Sequence, residues 1–263
     1  MALKQTPQSI ADQKKKGQKI SCLSLYDYPT ARIADEAGVD LLMVGDSLAM
    51  VLLGHENTLT VSMDHMIYHT RAVSKAAKKA LIVADMPYQS YEEPEQALKN
   101  AQRFLSEGGA DAVKLEGGVK IQSQVQRLLA SGIPVMGHVG MLPQTVGDRF
   151  YVHGKTKEEA KAILEDARLL DRLGVFAIVL ECVPAGLAAE ITQAVKCPTI
   201  GIGAGPETDG QVLVLYDILG IRSKVNPRFV RRYADLEGVI KKAIQEYCSD
   251  IKNKKFPSLN ESF

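Results

Sequence analysis

Tryptophan is absent from the 263 residues, aromatics reach only 6%, and neither sign of charge dominates: Lys plus Arg total 32 against 31 for Asp plus Glu. With no net field to draw the chain to nucleic acid or to a membrane surface, neither is expected as a partner. Cysteine is scarce. Cys22, Cys182, Cys197 and Cys248 form no C-x-x-C pair and no histidine stands at zinc-finger spacing, which argues against a disulfide framework or a structural zinc and for a reducing compartment. No apolar run is long enough to span a bilayer, and Met1 to Pro7 is not a signal-like hydrophobic stretch, so a soluble, unexported, cytoplasmic protein is expected. A dinucleotide fingerprint is missing too. Gly201-x-Gly203-x-Gly205 lacks the G-x-G-x-x-G turn and fits either a phosphate cradle or tight backbone turning.

What the chain does have is alternation. Polar helical stretches follow short apolar runs throughout: a helix from Ser9 to Gly17, then strands at Lys19–Leu25, Asp40–Val44, Ala80–Ala84, from Asp111 toward Gly118, Ile133–Met136, Val175–Leu180, Pro198–Ile202 and Gln211–Tyr216. Helices are expected at Thr30–Ala37, from a Ser62 cap to Lys79, from Pro94 to Gly108, at Lys120–Ala130, from a Thr156 cap to Leu173, at Leu187–Val195 and at Phe229–Ser249. Leu48–Val61 and Met141–Gly154, the latter with Pro143 and Gly147, read as long loops, and Asp250–Phe263 as a polar tail anchored by Phe256-Pro257. Regular alternation demands parallel pairing, and eight such units predict a single α/β domain over residues 1–263, a closed (β/α)8 TIM barrel with an extra N-terminal helix.

Ionisable residues recur where these strands end. Along Asp111-Ala112-Val113-Lys114-Leu115-Glu116-Gly117-Gly118, alternation turns Lys114 and Glu116 to one face and Val113 and Leu115 to the other. Charged groups on a strand covered on both sides are costly unless paired, ligated or solvated in a cleft, so the pair is either a structural ion pair at the rim or part of a site. Asp46 and Ser47 follow the second strand, Asp85 the third, His138 the fifth and Glu181 the sixth. In a barrel such ends converge on one mouth. Asp46 and Asp85 each have an alternative use as turn or cap acids, and His138 as a satisfied structural histidine. Glu181 closes an apolar run where solvation is poor, so its proton affinity is tunable and it is harder to dismiss as structural. The acids together call for a cation, and Asp46, Asp85 and Glu116, oxygen donors without a thiol, suit Mg²⁺ better than zinc.

Many separate segments in one order carry a resemblance that runs nearly end to end. They include Tyr26-Asp27-Tyr28-Pro29, Val44-Gly45-Asp46-Ser47-Leu48, Leu53-Gly54-His55-Glu56-Asn57-Thr58, Ala84-Asp85-Met86-Pro87, Val113-Lys114-Leu115-Glu116-Gly117-Gly118, Gly137-His138-Val139-Gly140, Pro143-Gln144, Gly201-Ile202-Gly203-Ala204-Gly205 and Thr208-Asp209-Gly210-Gln211. On these the chain resembles the ketopantoate hydroxymethyltransferase family. Met141-Leu142 departs from the Leu-Thr that often precedes Pro-Gln in it.

The resemblance implies a barrel of the phosphoenolpyruvate-mutase and isocitrate-lyase type, assembled as a homodecamer of two pentameric rings, with one Mg²⁺ per subunit and 5,10-methylenetetrahydrofolate as co-substrate. It implies transfer of a hydroxymethyl group to C3 of 3-methyl-2-oxobutanoate, giving ketopantoate for pantothenate and coenzyme A synthesis. Asp46 and Asp85 would ligate the metal and contact the 2-oxo acid, with Glu116 completing the metal's shell; Ser47 and Lys114 would hold the acid; Glu181 would be the general base. The metal would stabilise an enolate, and His138 would be a substrate or carboxylate partner rather than a second base. Two other readings fit the same acids: a Mg²⁺ lyase or mutase on 2-oxo or 2-hydroxy acids, and a non-catalytic barrel that binds a small acid or serves as a ring scaffold.

Overall fold

A computed structural model describes residues 3–146, 151–221 and 227–263. Gly147, expected in the loop from 141 to 154, lies outside the described residues. Two compact units are present, Met1–Val214 and Leu215–Phe263.

In the first unit eight parallel strands close into a ring in chain order: β1 (Ile20–Ser24), β2 (Leu41–Val44), β3 (Leu81–Asp85), β4 (Ala112–Lys114), β5 (Val135–Gly140), β6 (Ala177–Glu181), β7 (Thr199–Ile202) and β8 (Gly210–Val214). The ring shuts where β1 runs beside β8, with Ile20 opposite Gly210 and Ser24 opposite Val214. Helices separate most of the strands: α1 (Pro7–Lys15) before the ring, then α2 (Tyr28–Glu36), α3 (Leu48–Val51), α4 (Met63–Ala76), α5 (Pro94–Arg103), α6 (Gln122–Ala130), α7 (Pro143–Val146), α8 (Lys157–Leu173) and α9 (Ala185–Ala194). The second unit carries α10 (Leu215–Ile218) and α11 (Leu236–Lys252).

Short strands survive here because both faces are covered. All of Leu41-Leu42-Met43-Val44 is buried. At roughly 1.5–3 kcal/mol per buried large apolar side chain, this offsets a backbone ordering cost of about 1–2 kcal/mol per residue. Inside the ring Cys22, Leu41, Met43, Leu81, Val83, Met136, Val179 and Ile200 form one apolar cluster, and Ile10 of α1 packs into it. Lys14, near the end of α1, donates to Thr192 O and Cys197 O just ahead of β7, so α1 closes the N-terminal end of the barrel.

Aspartates at that end spend their carboxylates on backbone N–H groups. Asp35 accepts from Lys78, Lys79 and Ala80 at 2.7–3.0 Å, Asp40 from Ser21, Asp111 from Ile82, Asp171 from Cys197 and Asp209 from Thr199. Each fixes where a neighbouring strand or loop begins, a stabilising use characteristic of a barrel's bottom face. Helix starts follow the expected chemistry: Ser62 Oγ accepts from His65 N at 3.3 Å and Thr156 Oγ1 from Glu159 N at 3.2 Å.

Several boundaries differ from the sequence expectation. β5 begins at Val135 and runs on through Gly137 and His138 to Gly140, because pairing with β6 continues as far as Gly140 opposite Glu181. The segments 48–61 and 141–154 are not wholly loop, since α3 and α7 each form one turn. β8 stops at Val214 and Tyr216 belongs to α10, while the last long helix starts at Leu236 rather than Phe229. Among the described residues no helix is long and apolar enough to cross a membrane.

Candidate active site

Asp85 is the last residue of β3, Lys114 the last of β4 and Glu181 the last of β6; His138 lies within β5, and Asp46 follows β2 after Gly45. These C-terminal strand ends meet. Asp46, Asp85 and Glu116 are all buried, and one carboxylate oxygen from each lies within 4.8 Å of the others. Lys114 Nζ donates to both oxygens of Asp85, at 2.7 and 2.8 Å, and stands 3.6 Å from Glu116 Oε1. The shared face expected for Lys114 and Glu116 is therefore present, although the regular strand ends at Lys114. His138, 1% exposed, bridges two acids: Nδ1 is 3.5 Å from Glu116 Oε1 and Nε2 is 3.2 Å from Glu181 Oε2.

Ser47, next in chain to Asp46, has its Oγ 2.8 Å from the Tyr26 hydroxyl and 3.4 Å from Ser24 Oγ. Tyr26 is itself buried, and its carbonyl oxygen lies 2.7 Å from His69 Nδ1. At the far side Gly140 has φ +97°, and a Cβ there would sit 2.4 Å from Glu181 O. Only glycine lets β5 leave the ring this close to the end of β6.

Gln144 joins the acids together, and sequence reading assigned it no role. Its Nε2 donates to Asp46 Oδ2 at 3.0 Å and to Met86 O at 2.9 Å, its backbone N–H donates to Glu116 Oε2 at 3.0 Å, and its Oε1 accepts from the Tyr91 hydroxyl at 2.5 Å. The Pro143-Gln144 pair was visible in the resemblance, but nothing local to the chain marks Tyr91.

The electrostatics expose a charge deficit. Burial, reinforced by Asp85 and Glu116, drives the Asp46 carboxyl well above the ordinary carboxylate range. Burial also raises Asp85 despite the ammonium of Lys114. Glu116 is pushed up by burial but ends below its usual value, because Lys114, His138 and the Gln144 N–H outweigh it. Burial and Lys114 both disfavour an imidazolium at His138, yet its contacts with Glu116 and Glu181 raise it to about 9. Burial works against the Lys114 ammonium as well, and Asp85, Glu116 and Asp46 hold its proton in place. One ammonium and one imidazolium do not keep three clustered carboxylates ionised.

A divalent cation answers that deficit. Glu116 Oε1 is buried and accepts no hydrogen bond. The donors are hard oxygens and no thiol belongs to the cluster, the set that suits Mg²⁺. The residues present therefore fit the ion.

A cleft of about 700 Å³ adjoins the acids, with Glu116 and Gln144 in its wall. The Gly201–Gly205 stretch ends β7 and turns through positive φ at Gly203 and Gly205.

The sequence matches the family model for ketopantoate hydroxymethyltransferase over residues 4–259. It is 51% identical over 264 residues to the 3-methyl-2-oxobutanoate hydroxymethyltransferase of Dehalococcoides mccartyi strain BAV1, covering 99% of this chain and 95% of that one. It is 50% identical over 261 residues to the protein of the same name from Carboxydothermus hydrogenoformans, covering 98% and 95%. Among solved structures, phosphonopyruvate hydrolase in complex with oxalate and Mg²⁺ superposes with a TM-score of 0.63 at 12% identity, covering 97% of this chain and 92% of that one. 2,3-Dimethylmalate lyase, a member of the phosphoenolpyruvate mutase/isocitrate lyase superfamily, superposes with a TM-score of 0.61 at 16% identity, covering 98% and 88%. These two likenesses show the fold alone, a closed parallel eight-stranded barrel with helices. A match that spans almost the whole chain, at half identity, over a barrel whose acids converge at one mouth, makes this chain an enzyme of the ketopantoate hydroxymethyltransferase family.

Proposed function

We propose that the protein moves one carbon from 5,10-methylenetetrahydrofolate to C3 of 3-methyl-2-oxobutanoate, giving ketopantoate for pantothenate synthesis. The observation that carries this reading is the meeting of three buried carboxylates with a buried lysine, beside a glutamate held by a histidine. In the net reaction the C3–H bond breaks and a C3–CH₂ bond forms. Both bonds from the methylene to folate nitrogens break, and water supplies the new hydroxyl.

Asp46, Asp85 and Glu116 would hold Mg²⁺. Bound there, the ion supplies a Lewis acid for the oxygens of a 2-oxo acid. Ser47 and Lys114 bind that acid: the hydroxyl and its neighbouring N–H donate to it, and the Lys114 ammonium offsets the negative charge that collects on the keto oxygen as C3 loses its proton. Glu181 takes the C3 proton. Its side chain is 15% exposed, open enough to reach substrate, while His138 Nε2 stands 3.2 Å from one carboxylate oxygen and leaves the other to act. Gln144 and the hydrophobic floor of the barrel keep bulk water off the acids. By the family likeness, the enzyme works in the cytoplasm as a homodecamer.

The test is product analysis after incubation with 3-methyl-2-oxobutanoate, Mg²⁺ and a methylene donor labelled at the transferred carbon. Label in ketopantoate is expected. Cleavage of the 2-oxo acid with no label incorporated would instead favour a lyase and overturn the reading.

A further inference from the structure

The cleft beside the acid centre is larger than the small substrate requires. At about 700 Å³ it falls among pockets of roughly 300–1,000 Å³ that enclose drug-sized ligands, far above the needs of a five-carbon acid. Its inner wall, Glu116 and Gln144, belongs also to the acid centre. Whatever fills the cleft thus touches residues that hold the reacting end.

Both outer walls are fixed in place. On one side the segment 88–93 is clamped by side chains: Gln96 Nε2 donates to Gln89 O at 3.0 Å, Asn100 Nδ2 to Ser90 O at 2.7 Å and Gln124 Nε2 to Glu92 O at 2.8 Å. Gln89 has φ +62°, a left-handed conformation that a non-glycine residue keeps only when its surroundings over-determine it. On the other side Asp166 Oδ1 accepts from Val119 N at 2.9 Å and pins the segment after β4. A cleft held this way is formed before its ligand arrives, and little ordering cost remains for binding. Its mouth nevertheless presents apolar surface to solvent, with Tyr88 43% and Val119 62% exposed.

We propose that this cleft seats the one-carbon donor, a planar pyrimidinone ring with an amide-and-amine edge fused to a reduced ring, followed by an aryl arm and an anionic tail. The assignment rests on the hydroxymethyl-transfer reading above. Tyr88 and Tyr91 supply ring faces for offset or edge contacts with the fused ring or the aryl arm. Asp166 supplies a carboxylate, the acceptor suited to adjacent N–H groups on the ring edge. Lys120 supplies an ammonium for the carboxylates of the tail. Glu116 and Gln144 at the inner end place the carbon-bearing part toward the acids.

Four variants test the assignment: Tyr88→Ala, Lys120→Glu, Asp166→Asn and the double variant Tyr88→Ala/Lys120→Glu. Asp166→Asn retains an oxygen acceptor for Val119 N–H while losing its charge. Initial rates should show KM for 5,10-methylenetetrahydrofolate raised about tenfold by each single variant and further by the double. KM for 3-methyl-2-oxobutanoate and the donor-free exchange of the C3 proton with solvent should stay within twofold of wild type, which also reports correct folding. An unchanged donor KM in all four, or an equal rise in both KM values, would overturn the assignment. Failure of the wild type to transfer the carbon would sink the functional reading instead. Calorimetric titration with tetrahydrofolate then decides the cleft independently: binding weakened about tenfold by the variants supports it, and no wild-type binding, or binding indifferent to the variants, overturns it.

Discussion

Gln144 donates its side-chain N–H to Asp46 across 98 positions of sequence, with 3.0 Å between Nε2 and Oδ2. The same residue gives its backbone N–H to Glu116, so one amide side chain and one peptide group fix two of the three clustered carboxylates. Tyr91, donating to Gln144 Oε1, determines which end of the amide faces Asp46. Supporting groups of this kind orient metal ligands, and their loss commonly costs 10- to 100-fold in metal affinity.

Gln144→Ala should therefore weaken Mn²⁺ binding, followed by electron paramagnetic resonance as a stand-in for Mg²⁺, by about tenfold or more. Tyr91→Phe should weaken it less, since the donors from Gln144 remain. Equal Mn²⁺ affinity in wild type and Gln144→Ala would show that the acids hold their orientation without it.

Glu181→Gln should leave binding of 3-methyl-2-oxobutanoate nearly unchanged while abolishing exchange of the C3 proton into solvent, because the amide keeps the size of the side chain but has no basic oxygen. Proton exchange followed by NMR in deuterated buffer reads this directly. Wild-type exchange in the variant would remove Glu181 from the chemistry.

Asp85→Ala carries two separable costs. It removes a carboxylate from the cluster and leaves Lys114 buried without its bidentate partner. Breaking a buried pair by deleting one member costs about 3–5 kcal/mol, so thermal unfolding in the absence of metal should shift down by several degrees. Mg²⁺, which should raise the unfolding temperature of the wild type through preferential binding to the folded state, should have little effect on the variant. A wild-type response to Mg²⁺ in Asp85→Ala would place the ion elsewhere.

How much of this could be read in advance differs from residue to residue. Eight apolar runs ended in turn chemistry or an ionisable group, and eight strands are found. The run 41–44 followed by Gly45-Asp46 and the run 81–84 followed by Asp85 both state their strand and its functional end in the sequence itself. Strand polarity then separates Asp46 from Asp40, two similar residues at opposite ends of β2. Asp40 accepts from Ser21 N–H at the bottom, whereas Asp46 meets Asp85 and Glu116 at the top. Gln144 and Tyr91 gave no such signal. A glutamine in the single helical turn after β5 and a tyrosine ahead of a helix acquire their roles only when the chain after β5 folds over the ends of β2 and β3. β5 runs past the expected end at Met136, because continuous pairing with β6 overrides the weak strand preference of Gly137 and Gly140.

Asp35 offers a test of stability away from the site. Burial opposes its ionisation, but N–H groups of Ala80, Lys78 and Lys79 outweigh it and hold the carboxyl below the usual range. A carboxylate depressed in the folded state adds stability above its unfolded value of about 3.9, and that contribution disappears as pH falls through the lower folded value. Asp35→Asn should therefore cost about 1–3 kcal/mol in urea unfolding at pH 7, with the gap to wild type narrowing as pH falls below the unfolded value of about 3.9. A gap that stays constant across that range would mean the charge contributes nothing.

The pairing of β1 with β8 has a consequence for the growing chain. Every acid of the cluster is made by residue 116 and the proposed general base by residue 181, yet β1 has only β2 beside it until Gly210–Val214 has been synthesised. At Gly210 the seam is close, since a Cβ there would approach Ile20 O to 2.5 Å. Until translation passes that point, β1 and β7 both present unpaired hydrogen-bonding edges, and nascent chains on neighbouring ribosomes share the same exposed strands. Completion of the cylinder, rather than assembly of its chemistry, is thus the event that takes the newborn polypeptide out of danger.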